Sequence, residues 1–266
     1  MSAGENFMKL RLFITLALVI VVLHGSSNAQ HRKPAGIARA KAGAPPRSPE
    51  IGQTGVVIDE TLSVLRVNPS LFSESVQRMH RGRKVQIQGV TEADGVKFYR
   101  VTVPPNNFGW VQADAVFGKF RPADEERLAR FVQAESGFDQ IETAVQFFEL
   151  YPNSKFRPSI LLLFGDLVEE ISAKLSLDAT KKLKRLEMAA SAAPLHSYYL
   201  NYVSLDRYRK LGIVFLFNSA AKQFHYDGAS WKEILTKFPA SSEAAEAKKR
   251  LDALETKREK SSLAVK

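Results

Sequence analysis

Val96-Lys97-Phe98-Tyr99-Arg100-Val101-Thr102-Val103-Pro104-Pro105-Asn106-Asn107-Phe108-Gly109-Trp110-Val111 reads as strand, turn and strand, and the reading of the whole chain starts from it. Val96 to Val103 is rich in β-branched and aromatic residues, Pro104 to Asn107 supplies turn chemistry, and Gly109-Trp110-Val111 resumes the apolar run. The same grammar holds upstream. Val56-Val57-Ile58, Leu62 to Val67 and Val85-Gln86-Ile87 are strand candidates, broken by Asn68-Pro69-Ser70, Arg81-Gly82-Arg83 and Ala93-Asp94-Gly95. Five short strands between Gly55 and Lys119 predict a small barrel, because closure disposes of exposed strand edges.

From Arg121 onward the apolar period becomes that of helices. Pro122 with Asp124, Glu125 and Glu126 opens one, since Pro fits a first turn and acids complement its dipole; Leu128, Phe131 and Val132 mark its buried stripe. A second carries Ile141, Ala144, Val145 and Phe148 and stops before Pro152. A third starts at Pro158, and Ile160, Leu161, Phe164, Leu167, Val168 and Ile171 give it so wide an apolar face that it is expected to be central. Lys181 to Ala193, Ser204 to Phe217, Ser230 to Phe238 and Ser241 to Lys257 complete the helical set, with Gly212 to Phe217 readable as buried helix or strand. One junction recurs: Tyr151-Pro152-Asn153-Ser154 and Phe238-Pro239-Ala240-Ser241 both end a helix with aromatic-Pro-x-Ser and place a Ser before the next.

The amino end reads as a targeting segment. Lys9 and Arg11 precede an uncharged run from Leu12 to Leu23 and a small-residue stretch closing on Ser27-Asn28-Ala29, which is the layout of a secretory signal peptide. The run is shorter than a bilayer span, so cleavage after Ala29 is expected, with an uncleaved amino-terminal tether as the alternative. Residues 30–50 are rich in Ala, Pro and Gly and carry Arg32, Lys33, Arg39, Lys41 and Arg47, a basic linker that is either a solvated spacer or an attachment to an anionic surface. Over 266 residues the formal charge is +10, which favours anionic partners, and export argues against nucleic acid among them. The absence of Cys excludes disulfides, thiolate metal sites and a cysteine nucleophile.

Residues 51–119 resemble the bacterial SH3 (SH3b) domains of cell-envelope proteins. The likeness rests on Leu62 to Arg66 leading into Pro69-Ser70, Val76-Gln77-Arg78-Met79 before Gly82, the strand Val85 to Ile87, the turn at Gly95 and the closing Gly109-Trp110-Val111. The family's Leu-Asn-Val-Arg is replaced here by Leu62-Ser63-Val64-Leu65-Arg66, which shifts the register near the first loop. The resemblance implies a non-catalytic module that binds or spaces, in some relatives recognising peptidoglycan peptides. Residues 120–266 resemble, at the two Pro junctions, the tetratricopeptide-like hairpins of periplasmic assembly proteins, with an irregular helical bundle as the alternative. The expected fold is therefore multidomain, β followed by α: signal peptide, linker, SH3-like barrel and an all-α tetratricopeptide-like domain.

Catalytic motifs are scarce. Ala134-Glu135-Ser136-Gly137-Phe138-Asp139 resembles the Glu-Ser-Gly segment of lysozyme-like lytic transglycosylases, whose Glu is a general acid, but the Gly-Leu-Met-Gln and Ala-Tyr-Asn segments that wall that cleft are missing. A helix end with Gly137 as cap explains the same residues. No His-x-x-x-His spacing, nucleophile elbow or phosphate loop occurs, so neither metal nor cofactor is expected. The ligand-binding candidates are Tyr99, Asn106, Phe108 and Trp110 around the Pro104 turn; Trp110 also suits a barrel core, and Tyr99 is read as outward because it neighbours Phe98. Tyr198 and Tyr202, four apart, are candidates for docking a protein on one helical face. The expectation is an exported, non-enzymatic binding or scaffold protein, periplasmic or extracellular, whose barrel takes a cell-wall peptide or peptidoglycan and whose helices dock an envelope protein. A peptidoglycan-hydrolase part using Glu135, and a purely structural scaffold, are the alternatives.

Overall fold

In the computed structural model, residues 48–263 are described, and the signal-peptide reading and nearly all of the basic linker lie outside them. Strands β1 (Thr54–Val57), β2 (Val64–Arg66), β3 (Ser75–Arg78), β4 (Lys84–Ala93), β5 (Val96–Val103), β6 (Asn107–Gln112) and β7 (Val116–Phe117) form one antiparallel sheet in the order β3-β2-β6-β5-β4-β1-β7. The Asp94-Gly95 turn joins β4 to β5 with φ of 53° and 72°, and a tight hairpin whose twist matches its strands needs positive φ at both central residues. A register shift between Ile87 and Gly89 bends the long β4. A single 3-10 turn, Ala113–Ala115, precedes β7.

The sheet departs from the expected barrel in two ways. It has two more strands than anticipated, because β3 is polar and β7 has only two residues, too little for an alternation to show. It is also not closed: β3 and β7 end the strand order. Each edge is handled without closure. The β3 edge is short, and its Arg78 guanidinium donates to the Glu60 and Thr61 carbonyls at 2.6 and 2.8 Å. At β7, Phe117 is buried beside Phe131, with ring centroids 6.3 Å apart, and lies under the Arg127 guanidinium.

The carboxyl-terminal part builds α1 (Asp124–Ala134), α2 (Gly137–Leu150), α3 (Arg157–Lys182), α4 (Arg185–Ser191), α5 (Leu195–Leu200), α6 (Asp206–Arg209), β8 (Phe215–Asn218), β9 (Gln223–Tyr226), α7 (Ala229–Lys237) and α8 (Ala244–Leu263). The central role expected of α3 is met: Ile160, Leu161, Phe164, Val168, Ile171 and Leu175 are buried along it. The two Pro junctions share one hydrogen-bond pattern. Ser154 N donates to Tyr151 O and Ser241 N to Phe238 O, at 3.1 and 3.0 Å; Arg157 N then bonds Ser154 O and Ala244 N bonds Ser241 O. Gly165 lets α7 approach α3, since a Cβ there would lie 2.3 Å from Trp231 Nε1.

The all-α expectation is corrected by the antiparallel pair β8-β9. Gly212, at φ 77°, breaks the helical run, and β9 is then held on α3 by side chains: Phe224 N donates to Ser176 Oγ at 2.7 Å and Tyr226 N to Glu169 Oε2 at 2.9 Å. The helix read from Ser204 to Phe217 is accordingly a 3-10 turn, the short α6 and a strand.

Strand alternation divides the core in two. Val57 and Val116 point into the sheet's own interior with Leu65, Ile87, Val101, Val103 and Val111. Their neighbours Val56, Ile58 and Phe117 point the other way and join the helical core of Leu128, Val132, Ile141, Phe147, Ile160 and others. The described residues belong to one unit. Glu50, at the end of the stretch read as linker, is buried and ion-paired to Lys97 of β5.

Candidate functional site

The β5-β6 pair presents the candidate surface. Its register sets Thr102 opposite Phe108 and Arg100 opposite Trp110, and Arg66 of β2 faces Trp110 from the other side. Alternation therefore puts Phe108, Trp110, Arg66 and Arg100 on one face. Phe108 is 69% exposed and Trp110 half-buried, so the aromatic surface is open while its inner edge is fixed. Gly109 between them has a packing reason: a Cβ would come within 2.6 Å of the Arg66 carbonyl and 2.9 Å of Leu65 Cγ, so only Gly lets β2 lie this close to β6. Asn106 is exposed in the turn, and Asn107 Nδ2 donates to Gln77 Oε1 at 3.4 Å.

A loop from Asn68 to Glu74 flanks this face and carries Phe72, 90% exposed. Ser70 Oγ and Leu71 N donate to Asp94 at 2.7 and 2.8 Å, and Arg66 Nη1 donates to Ser73 O at 2.7 Å. Those two donors hold the Asp94 carboxyl below its ordinary range. The loop is thus pinned to the β4-β5 turn at one end and to the aromatic face at the other. Val67 and Val76 add exposed apolar surface nearby in the chain. Arg66, Arg100 and Phe72 were not anticipated; the signal for the two arginines is their cross-strand relation to Trp110, which appears only once pairing is known.

Tyr99 is corrected: it is fully buried. It shares the inward face with Val101 and Val103, so the apolar period of β5 runs through 99, 101 and 103, and Arg100 and Thr102 face out. Phe120 packs edge-on against it at 6.3 Å, and burial pushes its hydroxyl up to about 12, with Arg121 pulling it back. The helical pair is corrected too. Tyr198 lies on α5, which ends at Leu200, so Tyr202 is not on that helix. Tyr198 is half-buried with its hydroxyl 3.4 Å from Met188 O, whereas Tyr202 is buried and donates to Asp178.

Glu135 sits where the sheet meets the helices. It borders a cleft of about 300 Å³ with Asp59, Glu60, Asp139 and Glu142 around Arg81. Arg81 Nη2 donates to Glu135 Oε1 at 2.6 Å, Nη1 to Asp139 O at 2.7 Å, and Nε to Ile58 O at 3.1 Å. Burial raises the Glu135 carboxyl, and Thr143 and Arg81 oppose that rise. An ion pair this closely held ties the two regions together and leaves the carboxylate committed to Arg81. Among the described residues no group of three or more His, Asp or Glu is arranged to hold a metal ion, and no helix is long and apolar enough to cross a membrane.

No protein-family model matches the chain, and neither a curated protein nor a solved structure matches it.

Proposed function

We propose that the protein is an exported, non-catalytic cell-envelope binding protein, in which an SH3-like β-module presents a ligand face and the helical region, tetratricopeptide-like at its two Pro junctions, carries it. The bent β4, the tight Asp94-Gly95 hairpin and the 3-10 turn before the last strand support the SH3-like reading. The observation that carries the function is the row of Phe108 and Trp110 with Arg66 and Arg100 in direct register beside Trp110. Exposed rings give a ligand apolar contact, and flanking guanidinium groups select carboxylates, in keeping with the charge of +10. A peptide with free carboxylates, such as a cell-wall peptide, fits that chemistry.

The test is co-sedimentation with purified peptidoglycan sacculi at low and high salt. Specific recognition predicts retention at high salt that falls about tenfold with Phe108→Ala or Trp110→Ala, equivalent to about 1.4 kcal/mol. Binding that disappears with salt in wild type, or persists unchanged in both variants, overturns the assignment of this face.

The scaffold reading is favoured by a separate observation, the core shared by Val56, Ile58 and Phe117 with the helices. That shared core joins the two regions, so a ligand held on the sheet would keep a fixed orientation to whatever the helices dock.

A further inference from the structure

A second cleft, of about 600 Å³, runs between α3 and β9. It spans α3 from Glu169 to Lys181, twelve helical steps or about 18 Å at the helical rise. Its middle is apolar, with Ala173, Leu177 and Phe224, and Leu177 is 64% exposed although it lies on a buried helix. Lys181 and Lys222 stand at one end. The acid nearest Lys181 in the chain, Asp178, accepts from Tyr202 and Lys182 and does not line the cleft. The other end is lined by Glu169, Lys257 and His225; His225 is 5% exposed, with neither ring nitrogen hydrogen-bonded among the described residues. Its Nδ1 is 3.5 Å from Glu169 Oε1, and Glu169 itself accepts from Tyr226 N and Lys257.

An apolar trough with a pair of lysines at one end and an imidazole without a hydrogen bond at the other has the chemistry to hold a ligand, and its volume is that of small-molecule pockets. We propose that it binds an elongated organic monoanion: head between Lys181 and Lys222, apolar body along Ala173 and Leu177, and a far-end hydroxyl on His225. A hydroxyl both donates and accepts, so it bonds one ring nitrogen whether or not that nitrogen carries the proton.

Isothermal titration of the purified protein with 12-hydroxydodecanoate, dodecanoate and dodecyltrimethylammonium tests this, each below its micellar concentration. The expected result is one-to-one binding of the hydroxy acid, about tenfold weaker binding of dodecanoate for the missing hydrogen bond, and none of the cation. Leu177→Asp and Lys181→Glu, both on exposed positions of α3, weaken the hydroxy acid by about tenfold or more, the loss of one strong contact. His225→Phe removes the preference for the hydroxyl while keeping dodecanoate affinity; if that variant melts early, the wild-type preference still decides the role of His225. Equal binding of anion and cation, indifference to Leu177→Asp and Lys181→Glu, or no binding of either acid overturns the proposal.

Discussion

Tyr99 shows how a single residue separates packing from function. It is enclosed by Val101, Val103 and Phe120 rather than offered to a ligand, so Tyr99→Ala leaves a cavity and costs about 3–5 kcal/mol. Phe108→Ala, on the exposed face, stays within about 0.5 kcal/mol of wild type; urea unfolding of the two variants checks the contrast. Glu50 makes a second prediction. Burial opposes its ionisation, but hydrogen bonds from Lys97 and Ser48 outweigh that and hold its carboxyl down from 4.5 to about 2. Because the folded value is the lower one, the stabilisation is complete above pH 4.5 and drains away as pH falls through that value towards 2. Glu50→Gln therefore lowers stability at pH 7 by about 2–3 kcal/mol and flattens acid unfolding in this window; melting curves from pH 7 to 2 read both effects.

At the scale of elements, the recurring junctions and the crossing of α3 with α7 carry the helical part. Gly165 allows that crossing, with Trp231 Nε1 and Ser230 Oγ where its Cβ would be. Gly165→Ala overpacks the crossing and costs about 1–3 kcal/mol, although Ala is the better helix former, so the measured sign tells packing from propensity. The β8-β9 hairpin depends on side chains of another element: Ser176 Oγ accepts from Phe224 N in a buried bond. Ser176→Ala leaves that amide unsatisfied and costs about 1–3 kcal/mol, with faster hydrogen exchange in β9 than in α3 as the diagnostic. The hint in the sequence is slight: Glu169, Ser172 and Ser176 interrupt an otherwise apolar helix face at positions that need a partner.

At the scale of the molecule, the sheet and the helices share one core and one ion-pair cluster. Val56, Ile58 and Phe117 each lose about 1.5–3 kcal/mol of burial if the sheet is separated from the helices. A fragment of residues 51–119 is therefore expected not to fold alone, giving collapsed amide dispersion by NMR, while residues 48–266 melt in one cooperative transition. Two transitions in calorimetry contradict this. The change of apolar period near Arg121, the Asp94-Gly95 turn, the central α3 and the two Pro junctions were determined by the sequence, because each rests on local backbone preference or on a period long enough to read. The inward face of Tyr99, the open strand order, the β8-β9 pair, the meeting of Arg66, Trp110 and Arg100 and the clasp of Arg81 on Glu135 were decided only by the tertiary structure. They depend on which strands pair and which face of β1 meets the helices, and contacts between residues tens of positions apart leave no local period to read.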